Sequence, residues 1–300
     1  MNTNKLNLKI KEILGEGPKK ILMKGLFPFR NRFMLFNVTN FAKKDRVNLD
    51  YWLESDNLGD TLTPVIVNHL LSKKKIDSDK KVHGIKHLFA VGSVITAGIQ
   101  DGTVWGSGIL NARLGYRLKG RKLDIRSVRG PFTRTYLADY GFEAPAVYGD
   151  PAIFMPEIYT PSDKVEKKYK YGVVMHKDQV IPVADRDDLI VIDICTANYR
   201  DFVHKLLSCE KIISSSLHGI ILAESYGVQA VLLKPKVDFL KYDDWYYSTK
   251  RYEYPVVTSI EEGMATEPLH LPTNLDDLRR GQENAFPYDL YEVQGQNHLP

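Results

Sequence analysis

From about residue 46 onward, hydrophobic positions fall into two kinds of pattern. Short apolar runs end in small or polar residues: His87–Val91 before Gly92-Ser93, Thr103–Trp105 before Gly106-Ser107-Gly108, and Leu123–Val128 before Arg129-Gly130. Such runs suit strands buried on both faces of a parallel sheet. Between them lie stretches with apolar residues on one helical face. One is Val65–Ser72, which follows Gly59-Asp60-Thr61-Leu62-Thr63-Pro64; the other is Phe132–Asp139, opened by Gly130-Pro131 and closed at Tyr140-Gly141. Val147-Tyr148 runs into Gly149-Asp150-Pro151-Ala152. A polar stretch at 160–170 interrupts the series, and the alternation then restarts. Strands are expected at Tyr171–Met175, Leu189–Ile194, Lys211–Ser215 and Ala230–Leu233, with helices at Tyr199–Leu207 and Gly219–Tyr226. Two βαβ series joined by a polar linker predict an α/β protein with two Rossmann-like domains facing a cleft, 46–160 and 170–300, the second ending in a C-terminal tail. In a single doubly wound sheet, the alternative, 160–170 would be an ordinary surface loop.

Composition narrows this picture. The 300 residues are 43% hydrophobic and 26% charged, ordinary globular usage. The two cysteines, Cys195 and Cys209, form neither a disulfide scaffold nor a CxxC pair, so reduced, inert thiols are expected and no metal site is implied. No apolar run of about 18 residues is present, and Met1–Glu16 lacks the apolar core of a secretory signal. These features predict a cytoplasmic protein. The net charge of +4 is uneven, because residues 1–50 alone carry a surplus of seven positive charges. Within this basic arm, 1–45, Phe27, Phe29, Phe33 and Phe36 are interleaved with Lys19, Lys20, Lys24, Arg30 and Arg32. That composition suits a segment lying on an anionic membrane surface, at the inner face of the cell membrane; a core helix with a solvated charged face is the alternative. Nucleic acid is not expected, since the rest of the chain is acidic.

Ligands of open α/β sheets bind beyond the carboxyl ends of the strands. Those ends carry Gly92-Ser93, Ser107, Arg129, Asp150 and Ser216-Leu217-His218-Gly219. Glycines admit a ligand close to backbone, and helix N-termini hold anions. Neither a GxGxxG with its distant acid nor a GxxxxGK[ST] is present, so dinucleotide and P-loop chemistry lack support. His218, at a strand-to-helix junction, is either a polar turn residue or a general acid beside an anion. Arg129 is either a surface loop residue or a bidentate grip for carboxylate or phosphate. Arg134, one turn on, either adds a second charge or pairs with Asp139. Asp60 and Asp150 either cap turns or exchange protons with substrate hydroxyls.

Taken in order, Asn57-Leu58-Gly59-Asp60, Gly92-Ser93, Trp105-Gly106-Ser107-Gly108, Val128-Arg129-Gly130-Pro131, Gly149-Asp150-Pro151-Ala152 and Ser216-Leu217-His218-Gly219 resemble the polysaccharide pyruvyl transferase family over about residues 55–235, and Asp244–Arg251 extends the match. The resemblance implies a GT-B-like fold, an acceptor-side N-terminal domain and a donor-side C-terminal domain. It further implies transfer of pyruvate from phosphoenolpyruvate onto two hydroxyls of a sugar as a ketal, in bacterial cell-surface polysaccharide synthesis, without a cofactor. The acceptor would be a saccharide, of the undecaprenyl-diphosphate-linked kind. His218 and Arg129 fall on the family's catalytic and donor-binding positions. One departure stands out: some members carry arginine directly before the Leu-His-Gly element, where this chain has Ser216. A second donor-gripping cation is then expected from Arg134, Lys250 or Arg251. Replacing Arg129 or His218 by alanine is expected to abolish transfer with the fold intact. A GT-B-like glycosyltransferase using a nucleotide sugar, and a non-enzymatic scaffold of a polysaccharide assembly complex, are the competing readings.

Overall fold

The computed structural model describes residues 42–52, 56–98, 100–179 and 181–292, so the basic arm up to residue 41 lies outside the described residues. The N-terminal half forms a four-stranded sheet in the order β1 (Arg46–Asp50), β2 (Ile85–Phe89), β3 (Gly102–Val104), β4 (Leu123–Ile125), every pair parallel. The C-terminal half forms a five-stranded, wholly parallel sheet from β5 (Tyr169–Val174), β6 (Leu189–Val191), β7 (Cys209–Ser214), β8 (Gln229–Leu233) and β9 (Val256–Val257), in the order β6-β5-β7-β8-β9. An α/β fold with parallel sheets is therefore what the apolar runs encode. β4 stops at Ile125, and Val128 and Tyr148 make an isolated parallel bridge rather than extending regular strands.

Helix α1 (Leu58–Lys73) starts well before the stretch expected at Val65 and carries Pro64 inside it. Asn57 caps it, its side chain accepting from the Gly59 N–H at 3.2 Å. Proline in the second turn removes only the N–H that would have reached the Asp60 carbonyl. The early start places Asp60 in the first turn of a helix. α2 (Pro131–Ala138), α3 (Met155–Ile158), α4 (Tyr199–Leu207) and α5 (Leu217–Ser225) follow, then α6 (Leu240–Ser248), α7 (Ile260–Ala265) and α8 (Leu275–Asn284).

The stretch at 160–170 runs from α3 into β5. The two sheets nevertheless share one core, since a single cluster joins Leu62, Ile66 and Leu70 of α1 to Leu217 and Ile221 of α5 and Trp245 of α6. The N–H of Leu58 also donates to the Ile194 carbonyl at 2.9 Å. Elements late in the chain return to the first sheet. Gln282 of α8, fully buried, accepts from the Ser127 hydroxyl at 2.8 Å, donates to the Gly149 carbonyl at 2.8 Å and, through its own carbonyl, accepts from the Trp105 indole at 2.7 Å. α6 packs on α2. Among the described residues, no helix is long and apolar enough to cross a membrane.

Candidate active site

The carboxyl ends of β2, β5 and β7 converge on a cavity of about 720 Å³. Its wall includes Asp60, Gly92, Ser93, Ser216, Leu217 and His218, so residues from both halves of the chain meet there.

The turn from β7 into α5 is locked by local bonds. The Ser214 hydroxyl accepts from the Ser216 N–H at 3.0 Å and lies 2.9 Å from the Val174 carbonyl. Ser215 accepts from the His176 N–H at 2.9 Å, and its carbonyl accepts from the Tyr242 hydroxyl at 2.6 Å. Gly219 lets the helix settle on the strand, because a Cβ there would lie 2.4 Å from Ser214 Oγ and 2.8 Å from Val174 Cγ1. Ser216 occupies the N-cap position without a side-chain cap bond. The first turn of α5 thus presents N–H groups and its dipole to the cavity.

His218 Nε2 stands 3.6 Å from Asp150 Oδ2, beyond hydrogen-bond length, and neither buried atom has a hydrogen-bond partner among the described residues. Asp150, fully buried, also caps the turn Pro151–Phe154, its Oδ1 accepting from the Ala152 N–H at 3.0 Å. Both roles left open for this carboxylate are therefore compatible: one oxygen fixes the turn and the other faces the imidazole. The opposite side of the ring rests on α1, where a Cβ on Gly59 would fall 1.9 Å from His218 Nδ1. Asp60 follows on the same turn. Burial raises its pKa to about 6, against the charges of His218, Lys177 and Lys241 and with that of Asp150.

Arg129 departs from expectation. It is a fully buried residue, not a surface one, and its guanidinium does not line the cavity. Nε lies 3.3 Å from Asp244 Oδ2, Nη1 donates to the Ser93 hydroxyl at 2.8 Å, and Nη2 reaches the Ile109 carbonyl at 3.4 Å. Asp244 in turn accepts from the Thr133 N–H at 3.0 Å and from its hydroxyl at 2.6 Å. Burial pushes the Asp244 carboxyl up, against the pull of Arg129. Arg129 thus touches the cavity only through Ser93. Ser107 is also one layer back, donating to the Gly92 carbonyl at 2.9 Å and accepting from the Val94 N–H at 3.2 Å, which fixes the wall loop.

The glycines expected to admit a ligand mostly admit protein. A Cβ on Gly108 would sit 2.2 Å from Arg129 Nη2, one on Gly130 2.1 Å from the Asp244 carbonyl, and one on Gly106 2.5 Å from Pro151. Among the described glycines, only Gly92, at φ +94° and facing Asp60 Oδ1, combines a left-handed backbone with a place on the cavity wall.

The three cations suggested for a second grip lie elsewhere. Arg134 is exposed and donates to the Ala144 carbonyl at 2.9 Å, so it neither reaches the cavity nor pairs with Asp139. Lys250 is exposed just beyond α6, at φ +59°. Arg251 is held bidentately by Glu224, at 2.5 and 2.8 Å. The cavity instead takes its cations from Arg113, Lys177, Lys236 and Lys241. Lys177 lies over the Trp52 ring at 5.0 Å. His176 is held neutral near pH 7, its pKa lowered to about 4 by burial and then by Lys241. For His176-Lys177 a signal was available, since the pair follows a strand end by the rule that picked out Gly92-Ser93; for Lys241 no local pattern gave one.

Two parallel sheets whose strand ends close on a cavity lined by both cations and carboxylates, with His218 facing Asp150 beside a helix N-terminus without a side-chain cap, define an α/β protein with a charged cleft. The chain belongs to the polysaccharide pyruvyl transferase family, whose sequence profile matches residues 48–237. It is 26% identical over 226 residues to an uncharacterised protein of Acanthamoeba polyphaga mimivirus, covering 73% of this chain and 76% of that protein. It is 28% identical over 207 residues to the succinoglycan biosynthesis protein ExoV of Rhizobium meliloti, covering 65% of this chain and 62% of that one. A solved structure of an uncharacterised Klebsiella pneumoniae protein aligns with a TM-score of 0.45 at 14% identity, over 79% of this chain and 99% of the other.

Proposed function

We propose that the protein transfers pyruvate from phosphoenolpyruvate to two hydroxyls of a sugar, forming a ketal during cell-surface polysaccharide synthesis. The observation that carries this reading is the placement of His218, facing Asp150, at the N-terminus of α5 inside a cavity lined by both cations and carboxylates. The donor's phosphate and carboxylate match those cations, and the family and the name of the Rhizobium relative agree with this reading. His218 as imidazolium gives a proton to the donor's methylene carbon, leaving an oxocarbenium-like centre at C2. One sugar hydroxyl adds there, phosphate departs, and the second hydroxyl closes the ketal. The first hydroxyl proton restores the imidazolium that protonated the methylene carbon, and the second leaves on the phosphate. Asp60, with a pKa of about 6, relays the first of them and lies close enough to His218 to share its charge. Arg129 acts through Ser93, whose hydroxyl it orients.

The halves take a GT-B-like arrangement in this reading, with residues 46–160 on the acceptor side and 170–300 on the donor side. The acceptor is a lipid-linked saccharide, and the basic arm 1–45 holds the enzyme at the inner membrane face without a metal or cofactor. Incubation with phosphoenolpyruvate and lipid-linked saccharides is the test. Phosphate release matched by ketal formation, and lost in His218→Ala, is the expected result. Turnover of nucleotide sugars without consumption of phosphoenolpyruvate would overturn it.

A further inference from the structure

Buried cations in this chain normally have fixed partners. Arg129 meets Asp244, and Arg251 meets Glu224. Arg117 donates to the carbonyls of Thr96 and Ala97 at 3.1 Å, and Arg121 to that of Ile95 at 2.6 Å. Lys241 is different. It is 7% exposed, lines the cavity and, among the described residues, makes no ion pair within 4.0 Å; its ammonium lies 5.1 Å from the centre of its neighbour's ring, Tyr242. It enters from the first turn of α6, and the uncapped N-terminus of α5 lines the same cavity.

We propose that Lys241 is the cation that clamps the anionic group of the donor against the N-terminus of α5, and that the bound anion rather than a resident carboxylate keeps it charged. The identity of that anion as phosphoenolpyruvate rests on the function proposed above; the anion clamp does not. The surroundings agree. Arg129 repels the ammonium and Lys177 adds to that repulsion, while Lys236 shares the cavity wall. Asp60 and Asp178 attract the ammonium from the wall but form no ion pair with it within 4.0 Å among the described residues, and Asp238 and the imidazoles of His176 and His218 line the same cavity. Burial, then Arg129, lowers the Lys241 pKa to about 7. An anion entering the cavity reverses both effects and draws a proton onto the amine. Ser216, at the N-cap, brings no charge of its own to this wall, so a cation from α6 completes the clamp.

Calorimetric titration with phosphoenolpyruvate, and separately with inorganic phosphate, at about pH 8 in buffers of differing ionisation enthalpy tests the clamp. Wild type should bind with proton uptake. Lys241→Met should weaken binding about tenfold or more and lose the uptake that depends on Lys241. Lys241→Arg should restore affinity without that uptake, because a guanidinium is always charged. The free Lys241→Met protein should melt at a higher temperature than wild type, whereas a structural lysine would lower the melting point on removal. Phosphate binding that depends on Lys241, with no phosphoenolpyruvate binding, would support the clamp and reject the donor. Equal affinity of wild type and Lys241→Met for both anions, or no anion binding by wild type, would overturn the clamp.

Discussion

Replacing Arg129 by alanine should damage the fold as well as the chemistry, contrary to what its place at a strand end suggests. Arg129 and Asp244 are both fully buried, 3.3 Å apart, and join β4's terminal loop to α6. Removing one partner of a buried pair leaves an uncompensated group and costs about 3–5 kcal/mol. For a chain of this size that loss lowers the melting temperature by on the order of 10 °C. Replacing both partners by apolar residues of similar volume removes the uncompensated group, so Arg129→Met with Asp244→Leu should recover most of the stability. Thr133 loses its acceptor in that double variant, which sets a residual cost of about 1 kcal/mol. Activity should not return, because Ser93 has lost the donor that orients it on the cavity wall. Thermal melts of wild type, Arg129→Met, Asp244→Leu and the double variant, read as a double-mutant cycle, supply the stability test beside the alanine variant, and phosphate release at a temperature where all are folded supplies the activity test. Additive melting shifts, or an alanine variant as stable as wild type, would refute the buried-pair argument. A double variant with wild-type turnover would refute the role given to Ser93.

Gly59→Ala puts a methyl group on the His218 ring, so turnover should fall at least about tenfold while the melting point changes little, alanine being favoured in a helix. Asp60→Asn should remove a limb near pH 6 from the rate profile, since the carboxylate works ionised and titrates at about 6. The folded pKa of Asp60 is raised from 3.8, so its protonated form contributes stability below about pH 4 that is lost as pH climbs through 6; denaturant melts of Asp60→Asn should lack that decline. Arg251→Met leaves Glu224 buried against the Trp245 indole and should destabilise by about 3–5 kcal/mol with little effect on donor affinity, whereas Arg134→Ala and Lys250→Ala should alter neither stability nor affinity measurably.

The amino-acid sequence suffices for the class of fold. Apolar runs such as Ile212-Ile213 and Val231–Leu233 have no polar face to show water, so they become the parallel strands of a covered sheet. It also determined much of the site, because strand ends of an α/β sheet must converge: Asp60, Gly92, Ser93, Ser216, Leu217 and His218 do line one cavity. Tertiary structure decided which charges face that cavity. Helix α6 buries Lys241, Asp244 and Ser248 together with Tyr242, Trp245 and Tyr246, so its polar residues point inward and no amphipathic pattern announces it. Arg129 and Arg251 look equally free in the sequence, yet each meets a carboxylate more than 25 residues distant, Asp244 and Glu224 respectively. A charge pair of that kind depends on which elements pack together, a long-range property that local periodicity does not carry. For the same reason Gly59, Gly108 and Gly130 are close-approach sites for protein side chains or backbone rather than for a ligand, and only the packed chain shows which neighbour occupies the space each lacks.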